Sequence, residues 1–205
     1  MKVLIVGGVA GGASTAARLR RLDEDAQIII FERGSDISFA NCGIPYYCGG
    51  VIQEREKLSI MTPEKLKNLL NIEARTNSEV LRINRDKKSI IVLDRISNQE
   101  YEETYDKLVL SPGAAPIKPP IEGIDDSRIV TVRNLEDADR IKNFIEQKHP
   151  KKVSVIGGGF IGLEMAENFV HLGIETSLIE LSNQILPPVD YEIAIQLQNH
   201  MKDNG

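Results

Sequence analysis

An internal echo constrains this chain more than any other feature. Lys2–Val–Leu–Ile–Val–Gly7–Gly–Val–Ala–Gly–Gly12 opens the sequence, and Lys152–Val–Ser–Val–Ile–Gly157–Gly–Gly159–Phe–Ile–Gly162 follows about 150 residues later. Each is a short β-branched run that meets glycines and then a helical stretch. Each continues into a second apolar run that ends in an acid, Ile28–Ile–Ile–Phe31–Glu32 and Thr176–Ser–Leu–Ile179–Glu180. A strand that runs through glycines into a helix begins a βαβ unit, and such units build parallel sheets covered by helices. The period is far above that of a solenoid repeat. The expected fold is α/β, with two Rossmann-like βαβ nucleotide-binding units in three layers.

The residues between the two echoes read as an insertion. A segment rich in glycine, proline and tyrosine runs from Ser38 to Gly50, and a helix starts near Thr62–Pro63–Glu64, where Thr62 can cap and Pro63 suits the first turn. Val80–Ile83, Ser89–Leu93 and Glu100–Thr104 alternate as a β-meander with a turn at Arg85–Lys88, and Asp106–Ser111 returns as a buried strand. Ser111–Pro112–Gly113 to Pro119–Pro120 reads as a linker. Asn134–His149 reads as a helix with Asn134 as its cap, and Asp190–Lys202 as the last helix.

At roughly 150 residues per domain, 205 residues is about 1.4 domains. The expected division is a flavin-binding domain over 1–118 and a nicotinamide-nucleotide domain over 119–205. The second lacks a third parallel strand, so the chain reads as the N-terminal portion of something longer.

Composition excludes several function classes. Hydrophobic residues make up 41% and charged residues 27%, enough for a packed core and unlike a disordered chain. A net charge of −5 argues against a phosphate-backbone binder, so no nucleic-acid partner is expected. No apolar run is long enough to cross a membrane, and Val3–Val6 is too short for a signal peptide core, which points to the cytoplasm. Two cysteines make no disulfide framework, and His149, His171 and His200 form no metal-ligand cluster.

The glycine loops carry the first functional signal. In the pattern Gly157-x-Gly159-x-x-Gly162, the first glycine makes the tight turn and the second lets backbone approach a pyrophosphate. The third lets helix and sheet pack closely. Glu180, at the end of the next strand, would accept hydrogen bonds from ribose hydroxyls and repel a 2′-phosphate. Leu181, Ser182 and Asn183 supply no cation to reverse this, so NADH is expected over NADPH. The first loop departs from the pattern, because Val9 holds the second glycine position. Gly7, Gly11, Gly12, the small residues Ala13, Ala16 and Ala17, and Glu32 still support a dinucleotide there. Two loops suggest two dinucleotides, a flavin and a nicotinamide.

Ser38–Phe–Ala–Asn41–Cys42–Gly–Ile–Pro45–Tyr–Tyr–Cys48–Gly–Gly50 carries the second signal. If a helix begins around Cys42, its dipole favours thiolate over thiol, as a redox nucleophile needs; the alternative is a buried small residue. Six helical residues would separate Cys42 and Cys48 by about 9 Å, beyond the reach of a disulfide. Cys48 is therefore expected in the core.

Together these motifs resemble the coenzyme A-disulfide reductases. Those are single-cysteine members of the FAD-dependent pyridine nucleotide-disulfide oxidoreductases, akin to NADH oxidases, NADH peroxidases and persulfide reductases. The Asn41–Cys–Gly–Ile–Pro–Tyr–Tyr47 run discriminates, and Val9 fits that subgroup. The resemblance implies FAD and NADH as cofactors, Cys42 as the redox cysteine, and a coenzyme A-linked disulfide or persulfide as substrate. An alternative is reduction of oxygen or peroxide through a Cys42 sulfenic acid, and another is a non-catalytic nucleotide-binding fragment. The resemblance further implies that Ser38 and Asn41 place the substrate, and that Ser14, Arg18 and Arg21 contact the coenzyme A nucleotide. Arg18 and Arg21 could equally serve the dipole of the last helical turn. FAD contacts would extend to Ala10, Arg33, Val80, Ser111, Gly113 and Arg133, and the second nucleotide to Phe160 and Ile161. A second FAD segment and a dimerisation domain would lie beyond Gly205, with a homodimer expected for the full-length protein.

Overall fold

The computed structural model describes residues 1–205. In chain order the elements are β1 (Lys2–Val6), α1 (Ala10–Leu22), β2 (Gln27–Phe31), α2 (Ile44–Cys48) and α3 (Pro63–Leu70). Then come β3 (Glu73–Arg75), β4 (Ser78–Asn84), β5 (Ser89–Asp94), β6 (Gln99–Thr104) and β7 (Lys107–Leu110). The last are α4 (Leu135–Lys148), β8 (Lys152–Ile156), α5 (Phe160–His171), β9 (Glu175–Ile179) and α6 (Tyr191–Asp203). The chain forms two compact units, one of residues 1–40 and 58–115, the other of residues 41–57 and 116–205.

The first unit is built on a parallel sheet in the order β3-β2-β1-β7. Its central strands β1 and β2 are apolar without alternation because both of their faces are covered. Leu4, Ile29 and Phe31 pack against Ile90 and Val92 of the antiparallel sheet β4-β5-β6. Val3, Ile5, Ile28 and Ile30 pack the opposite way, with Ala16 of α1, Leu66 of α3, and Ile72. Thr62 caps α3, its hydroxyl oxygen accepting from the Lys65 N–H at 3.2 Å. Asn71 ends that helix in the left-handed region at φ 47°. The 106–111 stretch does supply a parallel strand, β7, paired to β1 with Leu4 opposite Leu108. It is not buried as expected: β7 is a sheet edge, paired on one side only, and Leu110 is 58% exposed.

The second unit centres on the parallel pair β8 and β9, with Val153 opposite Thr176. Met165, Ala166 and Phe169 of α5 are buried, while Ile156 and Ile179 at the strand ends stay more than half exposed. Asn134 caps α4 by accepting from the Asp137 N–H at 2.8 Å, and Asp137 in turn accepts from the Arg133 N–H at 2.9 Å. The first bond satisfies a donor that the helix start leaves orphaned, and the second ties the residue before the cap back onto the first turn.

Residues 41–57 group with residues 116–205 in the second compact unit. The reason is apolar: Ile44, Tyr47 and Cys48 of α2 are buried, and α2 packs on α4 and α5.

Candidate functional site

The two glycine loops have the same construction. Gly7 and Gly157 lie at φ 94° and φ 108°, a region open to glycine. A Cβ on Gly12 would come within 1.8 Å of the Gly7 carbonyl oxygen, and one on Gly162 within 1.9 Å of the Gly157 oxygen. These third glycines let each helix start against its own loop. A Cβ on Gly159 would meet nothing within 4 Å, so the protein itself does not require glycine there. Val9 holds the matching position of the first loop, as the N-cap of α1.

Each loop is closed by the acid of the following strand. Gly8 N–H donates to Glu32 Oε2 at 2.8 Å, and Gly34 N–H to Oε1 at 2.9 Å. Gly158 N–H donates to Glu180 Oε2 at 2.6 Å, and Ser182 N–H to Oε1 at 2.7 Å. The Ser182 and Gly158 N–H groups hold the Glu180 carboxyl down at about 2. The echo runs further than the sequence reading took it. Ser38 N–H donates to the Gly8 carbonyl at 2.9 Å and Leu186 N–H to the Gly158 carbonyl at 2.8 Å, with Ser38 and Leu186 both left-handed at φ 48° and 46°. The missed signal was the spacing: Ser38 and Leu186 each lie six residues after their acid, preceded by Ile37 and Ile185.

The helices behind these loops differ from their neighbours. α3 and α4 carry side-chain caps and acids in their first turns. α1 starts from Val9 and α5 from Gly159, with no side-chain cap and no first-turn acid. Their first N–H groups and positive dipole ends are left for an anionic partner. Ala10, Gly11, Phe160 and Ile161 are exposed there. Ser111 joins the first loop, its hydroxyl oxygen lying 2.4 Å from where a Gly11 Cβ would be. Gly113 follows in the irregular stretch at φ 70°, and Arg33 is exposed. Val80 packs its side chain on the Ile90–Val92 cluster where the β4–β5 register shifts, and Arg133 belongs to the second unit.

Cys42 is an exposed free thiol. It lies in a single 3-10 turn, Asn41–Gly43, and Gly43 is the N-cap of α2. A helical stretch does begin around Cys42, as a 3-10 turn that runs straight into α2, but α2 itself has only five residues. Its dipole is too small to carry the thiolate argument. In the residue before Cys42, the Asn41 Oδ1 atom is buried without a hydrogen-bond partner. An orphaned buried acceptor costs about 1–3 kcal/mol. Cys48 is buried, its Sγ 3.9 Å from the Ala138 carbonyl oxygen, and burial pushes its thiol up to about 12.

Ser14, Arg18 and Arg21 are all exposed on one face of α1. The last turn of α1 holds Arg20 and Arg21, so Arg18 does not serve its dipole. Sequence reasoning passed over Arg20, which is buried. Its guanidinium donates to the carbonyls of Leu70 (2.8 Å), Asp23 (3.1 Å), Ala26 (2.7 Å), Asn71 (2.9 Å) and Glu24. No group of three His, Cys, Asp or Glu side chains could hold a metal ion, and no helix is long and apolar enough to cross a membrane.

The pyridine nucleotide-disulphide oxidoreductase family model matches residues 1–205. The chain belongs to that family. The family uses FAD and NAD(P)H. Coenzyme A disulfide reductase of Staphylococcus haemolyticus (strain JCSC1435) is 42% identical over 192 residues, which is 94% of this chain and 43% of that protein. Reduced CoADR-RHD of Bacillus anthracis is 53% identical with a TM-score of 0.96, over 99% of this chain and 37% of that one. The NAD-dependent persulfide reductase of A. fulgidus is 38% identical with a TM-score of 0.94, over 100% of this chain and 39% of that one. The chain thus spans about two fifths of the length of these relatives. The residues present fit the family's dinucleotides: two uncapped helix starts, each behind a glycine loop and an acid, are built for anionic phosphates and ribose hydroxyls.

Proposed function

We propose that this chain is the nucleotide-binding portion of an NADH-dependent flavoprotein that reduces coenzyme A disulfide, or a related persulfide, through Cys42. The observation that carries the reading is the exposed Cys42 thiol, following Asn41 with its orphaned Oδ1, in a chain with two such glycine loops. The unit of residues 1–40 and 58–115 would hold FAD at Gly7, Gly11, Gly12, Glu32 and Ser111. The loop at Gly157–Gly162 would hold the nicotinamide nucleotide, with Glu180 on the ribose. Its charge at any working pH favours NADH, and the name of the NAD-dependent persulfide reductase supports this.

Bound FAD would supply hydride acceptance from NADH and delivery of the electron pair to a sulfur–sulfur bond. The Cys42 thiolate attacks one sulfur of the substrate disulfide, forming a mixed disulfide and expelling the first coenzyme A as thiolate. Two electrons and a proton then cleave the mixed disulfide, releasing the second thiol and restoring the Cys42 thiolate. Ser38 and Asn41 would help place the substrate beside Cys42, Ser38 being fixed by the first loop. Ser14, Arg18 and Arg21 present a hydroxyl and two cations to a phosphate-rich nucleotide; neither arginine has an ion-pair partner. The full-length protein is proposed to act as a homodimer.

The test is Cys42→Ser in the FAD-loaded enzyme. NADH should still bleach the flavin anaerobically, while coenzyme A release from its disulfide is lost. Coenzyme A release at the parent rate would overturn the reading.

A further inference from the structure

The segment that carries Cys42 has little structure of its own. α2 has five residues and no side-chain cap, far short of what holds as a helix in water. Its position comes from three residues of α4. Asp139 spends one carboxylate oxygen on each end of the stretch that follows Cys42: Tyr47 Oη donates to Oδ1 at 3.0 Å, and Arg55 Nε to Oδ2 at 2.8 Å. Lys142, nearly one turn further along, sets its Nζ 4.1 Å from the Tyr47 ring centre and donates to the Gln53 carbonyl at 3.1 Å. Ala138 lies against Cys48. Behind α2, a Cβ on Gly49 would come within 2.2 Å of Asn168 Oδ1, so its C-terminal end sits directly on α5.

We propose that Asp139 is a positioning residue for Cys42: by fastening Tyr47 and Arg55, it holds the cysteine turn in the place from which disulfide exchange occurs. This rests on the reading of Cys42 as the redox thiol. Asp139 touches no reacting atom. It acts by keeping a marginal five-residue helix docked, and small displacements of a reacting group are costly in rate. Burial and the Asp139 carboxylate push the Tyr47 hydroxyl up to about 12, so it remains a donor throughout the working range. Cys48 lies under the same contact and reports on it: released from α4, its thiol becomes reachable.

The experiment separates the two half-reactions in the FAD-loaded enzyme by anaerobic stopped flow. Asp139→Ala should slow reoxidation of the reduced enzyme by coenzyme A disulfide on the order of tenfold, while NADH still bleaches the flavin to within about twofold of the parent rate. Asp139→Asn should recover most of the loss, because its oxygen can accept from Arg55 while the tyrosine hydroxyl turns to accept from its amide. Native thiol titration should count Cys48 sooner in Asp139→Ala than in the parent. If Asp139→Ala does not load FAD, Tyr47→Phe, which keeps the ring and loses the hydroxyl bond, carries the test with a loss of about threefold confined to the disulfide step. Parent rates in both variants, or equal slowing of both half-reactions, would overturn the proposal. Cys42→Ser run alongside separates the two ideas. Loss of disulfide reduction there, with parent rates in the Asp139 and Tyr47 variants, brings down only the positioning role; disulfide reduction surviving in Cys42→Ser brings down the reading beneath it.

Discussion

The N–H of Gly158 donates to the Glu180 carboxylate at 2.6 Å, across 22 residues of sequence. The bond ties the glycine turn to the strand end, and it fixes the acid before any ribose arrives. Gly8 and Glu32 are joined in the same way at 2.8 Å. An acid held by its own loop is a pre-oriented acceptor, and its second lone pairs stay available to a sugar hydroxyl.

Glu180→Gln should therefore narrow the preference for NADH over NADPH, on the order of tenfold, by removing the charge that opposes a 2′-phosphate. The ratio of kcat/KM values for the two nucleotides measures this directly, and an unchanged ratio would refute it.

The protein's own share of that preference should be flat with pH. The folded-state value of about 2 is depressed below the ordinary carboxylate range, so whatever Glu180 contributes is present above that range and lost only as pH falls through about 2. Between about pH 7.5 and about pH 9, above the second ionisation of the 2′-phosphate at about 6, the NADH/NADPH ratio should not titrate; a step in that window would show a protein group other than Glu180 governing it.

The glycines of the second loop should separate by role. Gly162→Val places atoms against the Gly157 carbonyl and should lower stability by about 1–3 kcal/mol or more in urea unfolding. Gly159→Ala meets no protein atom and should leave the unfolding midpoint unchanged while weakening NADH binding about tenfold, since only a pyrophosphate comes close there. The opposite ranking would contradict this loop geometry.

Arg20→Ala should cost about 2–4 kcal/mol, because it strands carbonyls at the ends of α1 and α3 that one guanidinium satisfies. Arg20→Lys should rescue little, since an ammonium cannot reproduce the fork. Arg21→Ala, one residue on and exposed, should fall within about 0.5 kcal/mol of the parent. Thermal or denaturant melts of the three variants decide it.

Thiol titration should count one fast cysteine in the native protein, Cys42, and the second only on unfolding. Burial raises the Cys48 thiol, so its contribution is intact below the ordinary thiol range and is lost as pH climbs towards about 12. Cys48→Ala should blunt the alkaline loss of stability; an identical alkaline limb in the variant would argue against that assignment.

What the sequence by itself determined is what local physics writes at short range. β-branched runs meeting glycines fixed β1, α1, β8 and α5. Thr62 and Asn134 announced their helices, because a cap acts three residues away. The alternation over Val80–Thr104 gave the meander, and the acids at 32 and 180 followed from the strand ends. Tertiary structure decided the rest, because the partners are far apart in the chain. Nothing in the sequence marked Arg20, because two of its carbonyl partners come from 50 and 51 residues away. β7 read as buried, since its composition cannot say how many neighbours a strand will have. No periodicity in residues 41–57 announces Asp139, 92 residues beyond Tyr47. A five-residue helix carries too few bonds to fix its own position, so it goes where its apolar face is buried, and that is decided by α4 and α5.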